Sequence, residues 1–349
     1  MDSHAYGVIM AGGIGSRFWP MSTEDHPKQF IDILGTGQSL LQQTFERLSN
    51  ICPADQIYIV TNEQYREITK KQLPGINDSQ VLCEPMRRNT APCIAYANFK
   101  IMDLDSKANV LVCPSDHLIT KESVFNEVIS QSLKQAATKD VLLTIGIKPS
   151  RPDTGYGYIN YEKTNAAFSK VISFTEKPDL ETAKKFVASG DYSWNSGMFI
   201  WNVNSIDKAF RELLPEMHLQ FEKGKGKYNT EAEQAFINQV YPSCENISID
   251  YGIMEKAGNR QVINADFGWS DLGTWGSLYE HIPQDQGGNA LIGKKVMSLD
   301  ARGNIVHVPN EKLVVMIGLD DCIVVEHGNA LLICKKEEEQ KIKKITEGL

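Results

Sequence analysis

Five short apolar runs rich in β-branched residues, at 6–10, 57–60, 81–83, 110–113 and 141–147, alternate with helix-like stretches at 40–48, 91–104 and 124–137. Continuous apolar strands separated by helices specify an α/β fold, a Rossmann-like mixed and mostly parallel sheet flanked by helices. Ligands of such sheets bind beyond the carboxyl ends of the strands. Two polar features fall there and can share one cleft: Gly12 to Arg17 follow the first run, and Asp116 follows the fourth. From 149 to 275 the rhythm changes, and polar clusters containing Gly157, Glu176-Lys177, Asn195 and Asp271 each stand beside a strand-like run able to support them. After Pro283, runs at 295–299, 304–308, 313–317, 323–325 and 331–334 read as a small all-β, β-helix-like domain closed by a charged, solvated helix over 335–347. At 349 residues the chain exceeds what one core comfortably serves, and the expected division is 1–283 and 284–349.

The segment after the first run holds Gly12, Gly13 and Gly15, delivers Arg17 and, eleven residues on, Lys28. Glycines let backbone N–H groups approach phosphate oxygens, and the two cations offset charge that grows when phosphorus is attacked. A dinucleotide-binding loop would need a third glycine where Phe18 stands, and a Walker A loop would need its lysine long before Lys28. The segment therefore points to an enzyme of phosphorylated small molecules by another route.

With 36 basic against 44 acidic residues, the net charge of −8 argues against nucleic acid and anionic membranes as partners. A nucleotide must be caught by a local cationic site. Seven cysteines without a C-x-x-C pair fit neither a disulfide framework nor a zinc site. No long apolar signal core opens the chain and no run of eighteen apolar residues occurs, so a soluble, cytoplasmic protein is expected.

Asp116 and Asp271 are well-separated carboxylates of the kind that can share a magnesium ion with substrate phosphates, although for each alone capping a following helix is the commoner role. In Glu84-Pro85-Met86-Arg87-Arg88-Asn89-Thr90, Asn89 or Thr90 is suited to cap the next helix. Trp194, Trp201 and Trp269 read as core, and the histidines have no metal-like spacing.

Gly-Gly-x-Gly-x-Arg-x-x-Pro from Gly12 to Pro20, followed by Pro27-Lys28-Gln29-Phe30, resembles the nucleoside-diphosphate-sugar pyrophosphorylases, and the second motif looks like their mannose-1-phosphate guanylyltransferase branch. The resemblance runs from the first strand to about Trp275, and the β-rich tail fits its shorter members. It implies transfer of GMP from GTP to α-D-mannose 1-phosphate, with GDP-mannose and pyrophosphate as products, Mg²⁺ as cofactor and a homodimer as assembly. It implies that Arg17, Lys28, Asp116 and Asp271 are catalytic, and that Asp116 and Asp271 hold the metal. Ala11, Gly12, Gly13, Gly15, Ser16, Arg17, Glu84, Asn89 and Asp116 would bind nucleotide, with Glu84 or a neighbouring carbonyl reading the donors of guanine. Gly157, Glu176, Lys177 and Asn195 would bind the sugar phosphate. Another nucleotide–hexose pairing, or a non-catalytic nucleotide-sugar sensor of the same fold, remains open at this point.

Overall fold

The computed structural model describes residues 2–346, which fall into two compact units. One comprises the chain up to Gly12, Thr44–Ser115 and Ile119–Trp269; the other comprises Gly13–Gln43, Asp116–Leu118 and the chain from Ser270 onward.

The first unit is built on strands β1 (Ala5–Ala11), β2 (Ile57–Asn62), β3 (Val81–Glu84), β4 (Asn109–Pro114), β5 (Leu142–Ile147), β6 (Tyr158–Tyr161), β7 (Ser169–Thr175), β8 (Tyr192–Asn202) and β9 (Arg260–Asn264). Among the described residues these form one sheet in the order β3-β2-β1-β4-β8-β5-β9-β7-β6. β1 pairs in parallel with β2 and β4, setting Val8 beside Tyr58 and Val112. β8 runs antiparallel between β4 and β5, so the sheet is mixed.

Because strand side chains alternate between faces, Tyr6, Val8, Tyr58, Val60, Val110 and Val112 share one face. They are buried in a core with Ala91, Ile94 and Tyr96 of the helix Thr90–Leu104 and with Ile206 and Phe210 of the helix Val203–Leu213. Gly7 looks the other way, where an added Cβ would come within 2.9 Å of the Leu48 side chain. Burial on both faces accounts for strands that are continuously apolar rather than alternating.

The second unit has a core of its own in which Phe18, Met21, Ile31, Leu272 and Trp275 pack with Ile305, Ile323, Val325 and Ile342. Its strands are β10 (Ala290–Ile292), β11 (Lys295–Leu299), β12 (Ile305–His307), β13 (Leu313–Ile317), β14 (Cys322–His327) and β15 (Ala330–Lys335). β10, β12 and β14 stack in parallel, as do β11 and β13, so successive turns of chain form the rungs of a β-helix. Asn304 ties neighbouring rungs: its Nδ2 donates to Asn289 Oδ1 at 2.9 Å and to the Leu319 carbonyl at 2.7 Å, and its Oδ1 accepts from Cys322 N–H.

The end of the chain departs from the expected solvated helix. A 3-10 segment covers Lys336–Lys341 and an α-helical turn covers Ile342–Thr346, while Glu347 lies outside the described residues. Ile342 is buried in the unit's core, and Glu339 accepts a hydrogen bond from Gly276 N–H at 2.8 Å. The run of charges hides one apolar anchor that commits this segment to packing. No helix among the described residues is long and apolar enough to cross a membrane.

Candidate active site

The glycine segment splits between the units. Ala11 ends β1 and Gly12 follows it, and the Ala11 carbonyl accepts from Thr61 Oγ1 at 2.7 Å. Gly13 has open space around it. Gly15 takes φ +72° and opens the 3-10 turn Ser16–Phe18, which buries Phe18 and leaves Ser16 and Arg17 on the loop. A Cβ on Gly15 would lie 2.5 Å from Lys28 Cβ, so only glycine lets the loop close over that lysine. Lys28 N–H donates to the Ile14 carbonyl at 3.1 Å, fixing the approach from the main chain as well.

Lys28 is 3 % exposed, and its ammonium donates to three oxygens: Asp116 Oδ2 at 3.0 Å, the Asp116 carbonyl at 3.2 Å and the Asp271 carbonyl at 2.8 Å. It also stands 5.4 Å from the Phe18 ring centre. Arg17 Nη1 donates to the Gly273 carbonyl at 3.0 Å, and Gly273 N–H donates to Asp271 Oδ1 at 3.0 Å. One unit thus brings together Arg17, Lys28, Asp116 and Asp271. Neither aspartate caps a helix. Lys121 holds the N-cap of Glu122–Thr138, and Thr274 caps Trp275–Tyr279 through its own side chain. Burial raises the Asp116 carboxyl, but the charges of Lys28 and His117 outweigh it and hold the group ionised below its usual range.

The Asp116 carboxylate and the Asp271 main chain meet on one ammonium, and a carboxylate on each of these two residues suits a hard divalent cation such as magnesium. No cluster of three His, Cys, Asp or Glu side chains that could hold a metal occurs among the described residues. Such a cation would need oxygens from a ligand, as magnesium does when it binds through one or two carboxylates and substrate phosphates.

In the first unit, Gly157, Glu176, Lys177 and Asn195 converge. A Cβ on Gly157 would meet Glu176 Oε2 at 2.4 Å and Asn195 Cβ at 3.3 Å. Glu176 Oε1 pairs with Lys177 Nζ at 3.0 Å, and Lys177 sits at φ +46°, a left-handed backbone rarely adopted outside glycine. Burial lowers the Lys177 ammonium, but the Glu176 carboxylate overcomes this and raises it. Sequence reasoning missed Asp250, whose Oδ1 accepts from Asn195 Nδ2 at 2.9 Å. Its only signal was a carboxyl inside the otherwise apolar stretch between Ile249 and Ile253.

Glu84 ends β3 with its side chain buried beside Gly12, where an added Cβ would lie 3.7 Å from Oε2. Its Oε1 accepts a short hydrogen bond from the Tyr241 hydroxyl, a partner the sequence did not reveal. Burial pushes Glu84 up to about 7. Asn89 stands at φ +64° as the N-cap of Thr90–Leu104, its side-chain oxygen accepting from Thr90 N–H at 3.0 Å.

Residues 6–287 match the nucleotidyl transferase family, and residues 294–349 match the MannoseP isomerase/GMP-like beta-helix domain. A mannose-1-phosphate guanylyltransferase of Salmonella muenchen is 36% identical over 349 residues, covering 98% of this chain and 72% of the relative. One of Salmonella montevideo is 38% identical over 356 residues, covering 98% and 73%. A crystal structure from Thermus thermophilus, described as a mannose-1-phosphate geranyltransferase, aligns over 99% of both chains with a TM-score of 0.89 at 29% identity.

Proposed function

The chain belongs to the nucleotidyl transferase family, and we propose that it transfers GMP from GTP to α-D-mannose 1-phosphate, releasing pyrophosphate and leaving GDP-mannose. The observation that carries this reading is the ammonium of Lys28 held on Asp116 and Asp271 with Arg17 alongside. An oxygen of the sugar phosphate forms the new bond to the α-phosphorus while the α–β bridging bond breaks and pyrophosphate leaves. The attacking oxygen is already anionic, so no protein nucleophile is required, and positioning with charge neutralisation accounts for the acceleration. Lys28 is desolvated and pointed before substrate arrives, which suits it to charge on the α-phosphate. Arg17 offers a planar fork to the leaving pyrophosphate.

Asp116 and Asp271 would hold Mg²⁺, which when bound supplies Lewis-acid stabilisation of the phosphate oxygens. Nucleotide contacts are assigned to Ala11, Gly12, Gly13, Gly15, Ser16, Arg17, Glu84, Asn89 and Asp116. The amide hydrogens of Asn89 and the Glu84 Oε2 edge are suited to a purine. Gly157, Glu176, Lys177 and Asn195 are assigned to the sugar phosphate, carboxylate and amide to hydroxyls and ammonium to phosphate.

The same reading takes residues 1–283 as the catalytic part and 284–349 as the β-helical part, a division supported by the two family matches. It also takes the working protein to be a homodimer in the cytoplasm. Met297 and Leu299 of β11 and Leu313, Val315 and Ile317 of β13 are exposed on one sheet face, an apolar surface that a second copy would cover. All seven cysteines are free thiols, as a reducing compartment requires. The function is tested by pyrophosphate release over a matrix of nucleoside triphosphates and hexose 1-phosphates. The reading expects GTP with mannose 1-phosphate to be the fastest pair, and it fails if another pair dominates or none reacts.

A further inference from the structure

The cluster around Gly157 contains one carboxyl more than the reading above uses. Asp250 opens the π-helical turn Asp250–Met254, of which Gly252, Ile253 and Met254 are buried. The Asn195 amide is fixed from its other side, since its Oδ1 accepts from Thr144 Oγ1 at 2.9 Å and from Gly197 N–H at 3.1 Å, leaving Nδ2 to Asp250. Glu176 approaches the same spot across Gly157, and its side chain is 9% exposed. Glu176 Oε2 is fully buried and has no hydrogen-bond partner. A buried carboxylate oxygen left unpaired is costly, and it marks a place where a donor belongs.

We propose that Asp250 is a further hexose-binding residue, which together with Glu176 and Asn195 brackets one hydroxyl of the sugar phosphate over Gly157. A hydroxyl has one proton to give and lone pairs to receive. It donates to Glu176 Oε2 and accepts from the Asp250 carboxyl. Burial and the nearby Glu176 carboxylate push Asp250 up to about 7, so below neutrality it carries the proton this arrangement needs. The other charged groups around it are Lys177, paired with Glu176 Oε1, and Glu255, which accepts from Glu176 N–H at 3.2 Å; the Tyr251 phenol is adjacent in sequence. Above neutrality Asp250 ionises, loses its donor and adds a second anion beside an anionic substrate.

The assignment rests on the hexose 1-phosphate reading and is tested by steady-state kinetics of the whole chain. In the parent, KM for mannose 1-phosphate should rise on the order of tenfold between about pH 6.5 and 8.5, while Asp250→Asn, which keeps a donor and cannot ionise, should give a flat profile. Ionisation of the substrate is common to both proteins and cancels in the comparison. Glu176→Gln should move the rise to lower pH, because burial still raises Asp250 but no carboxylate neighbour adds to it, and it provides the test if Asp250→Asn fails to fold. A KM for GTP that stays at the parent value identifies a folded variant. An active parent whose pH rise persists in Asp250→Asn, or stays unmoved in Glu176→Gln, overturns the assignment alone. A parent inactive with every hexose 1-phosphate overturns the underlying reading and the assignment with it.

Discussion

A methyl group on Gly15 would stand 2.5 Å from Cβ of Lys28. The glycine loop is therefore shaped to the lysine as much as to any phosphate. Gly15→Ala should shift Lys28 and strain the left-handed backbone, with a cost of about 1–3 kcal/mol to stability. Urea unfolding and kcat measured together check this: both should fall. An alanine variant with parental stability and turnover would show that the loop relaxes without disturbing Lys28.

Asp116 and Asp271 are assigned to one divalent cation. Asp116→Asn and Asp271→Asn should each raise the magnesium concentration needed for half-maximal rate, and chelator should abolish turnover in the parent. Unchanged magnesium titrations in both variants would remove the metal from these residues.

Glu84 gives a pH signature in stability. Its carboxyl is raised from an ordinary 4.5 to about 7, chiefly by burial. Because the folded value lies above the unfolded one, its contribution is complete below 4.5 and is lost as pH rises through 7, at about 1.4 kcal/mol for each pH unit crossed between the two values. Glu84→Gln does not ionise, so its stability relative to the parent should improve steadily across that interval and level off above it. Denaturant midpoints measured at several pH values decide the matter; a constant difference between the two proteins would contradict the raised carboxyl.

The exposed apolar face of β11 and β13 predicts self-association. Met297→Lys with Ile317→Lys should reduce the mass seen by light scattering from that of two chains to that of one, 39.0 kDa. A parent that is already a single chain would rule out this interface.

β1 to β5 were readable because each is built on a short, largely apolar run, and the loop because glycine, arginine and lysine fall at fixed spacings. What could not be read is contact made through main-chain atoms or from distant side chains. Two of the three acceptors of Lys28 are carbonyls, which leave no trace in residue type. Tyr241 and Asp250 sit far along the chain from Glu84 and Asn195 and join them only after folding. The continuous apolar run of β13 gives a strand but not which side faces out, and Leu313, Val315 and Ile317 prove to be the exposed set. In the last segment, the single buried Ile342 was hidden by the charges around it.

Lys28 is the centre of the account, and its removal is the most direct test. Contacts made chiefly in the transition state lower kcat when removed, whereas contacts made equally in the ground state raise KM. Lys28→Ala should depress kcat by on the order of a hundredfold or more, the effect of losing one preorganised electrostatic contact, while GTP binding remains detectable by calorimetry. Lys28→Arg should restore little of it, because a planar fork cannot fill a site shaped to a compact ammonium. Single-turnover and steady-state pyrophosphate release by Lys28→Ala is therefore the decisive measurement: a collapse of kcat with GTP still bound supports the mechanism, and turnover at the parental rate contradicts it.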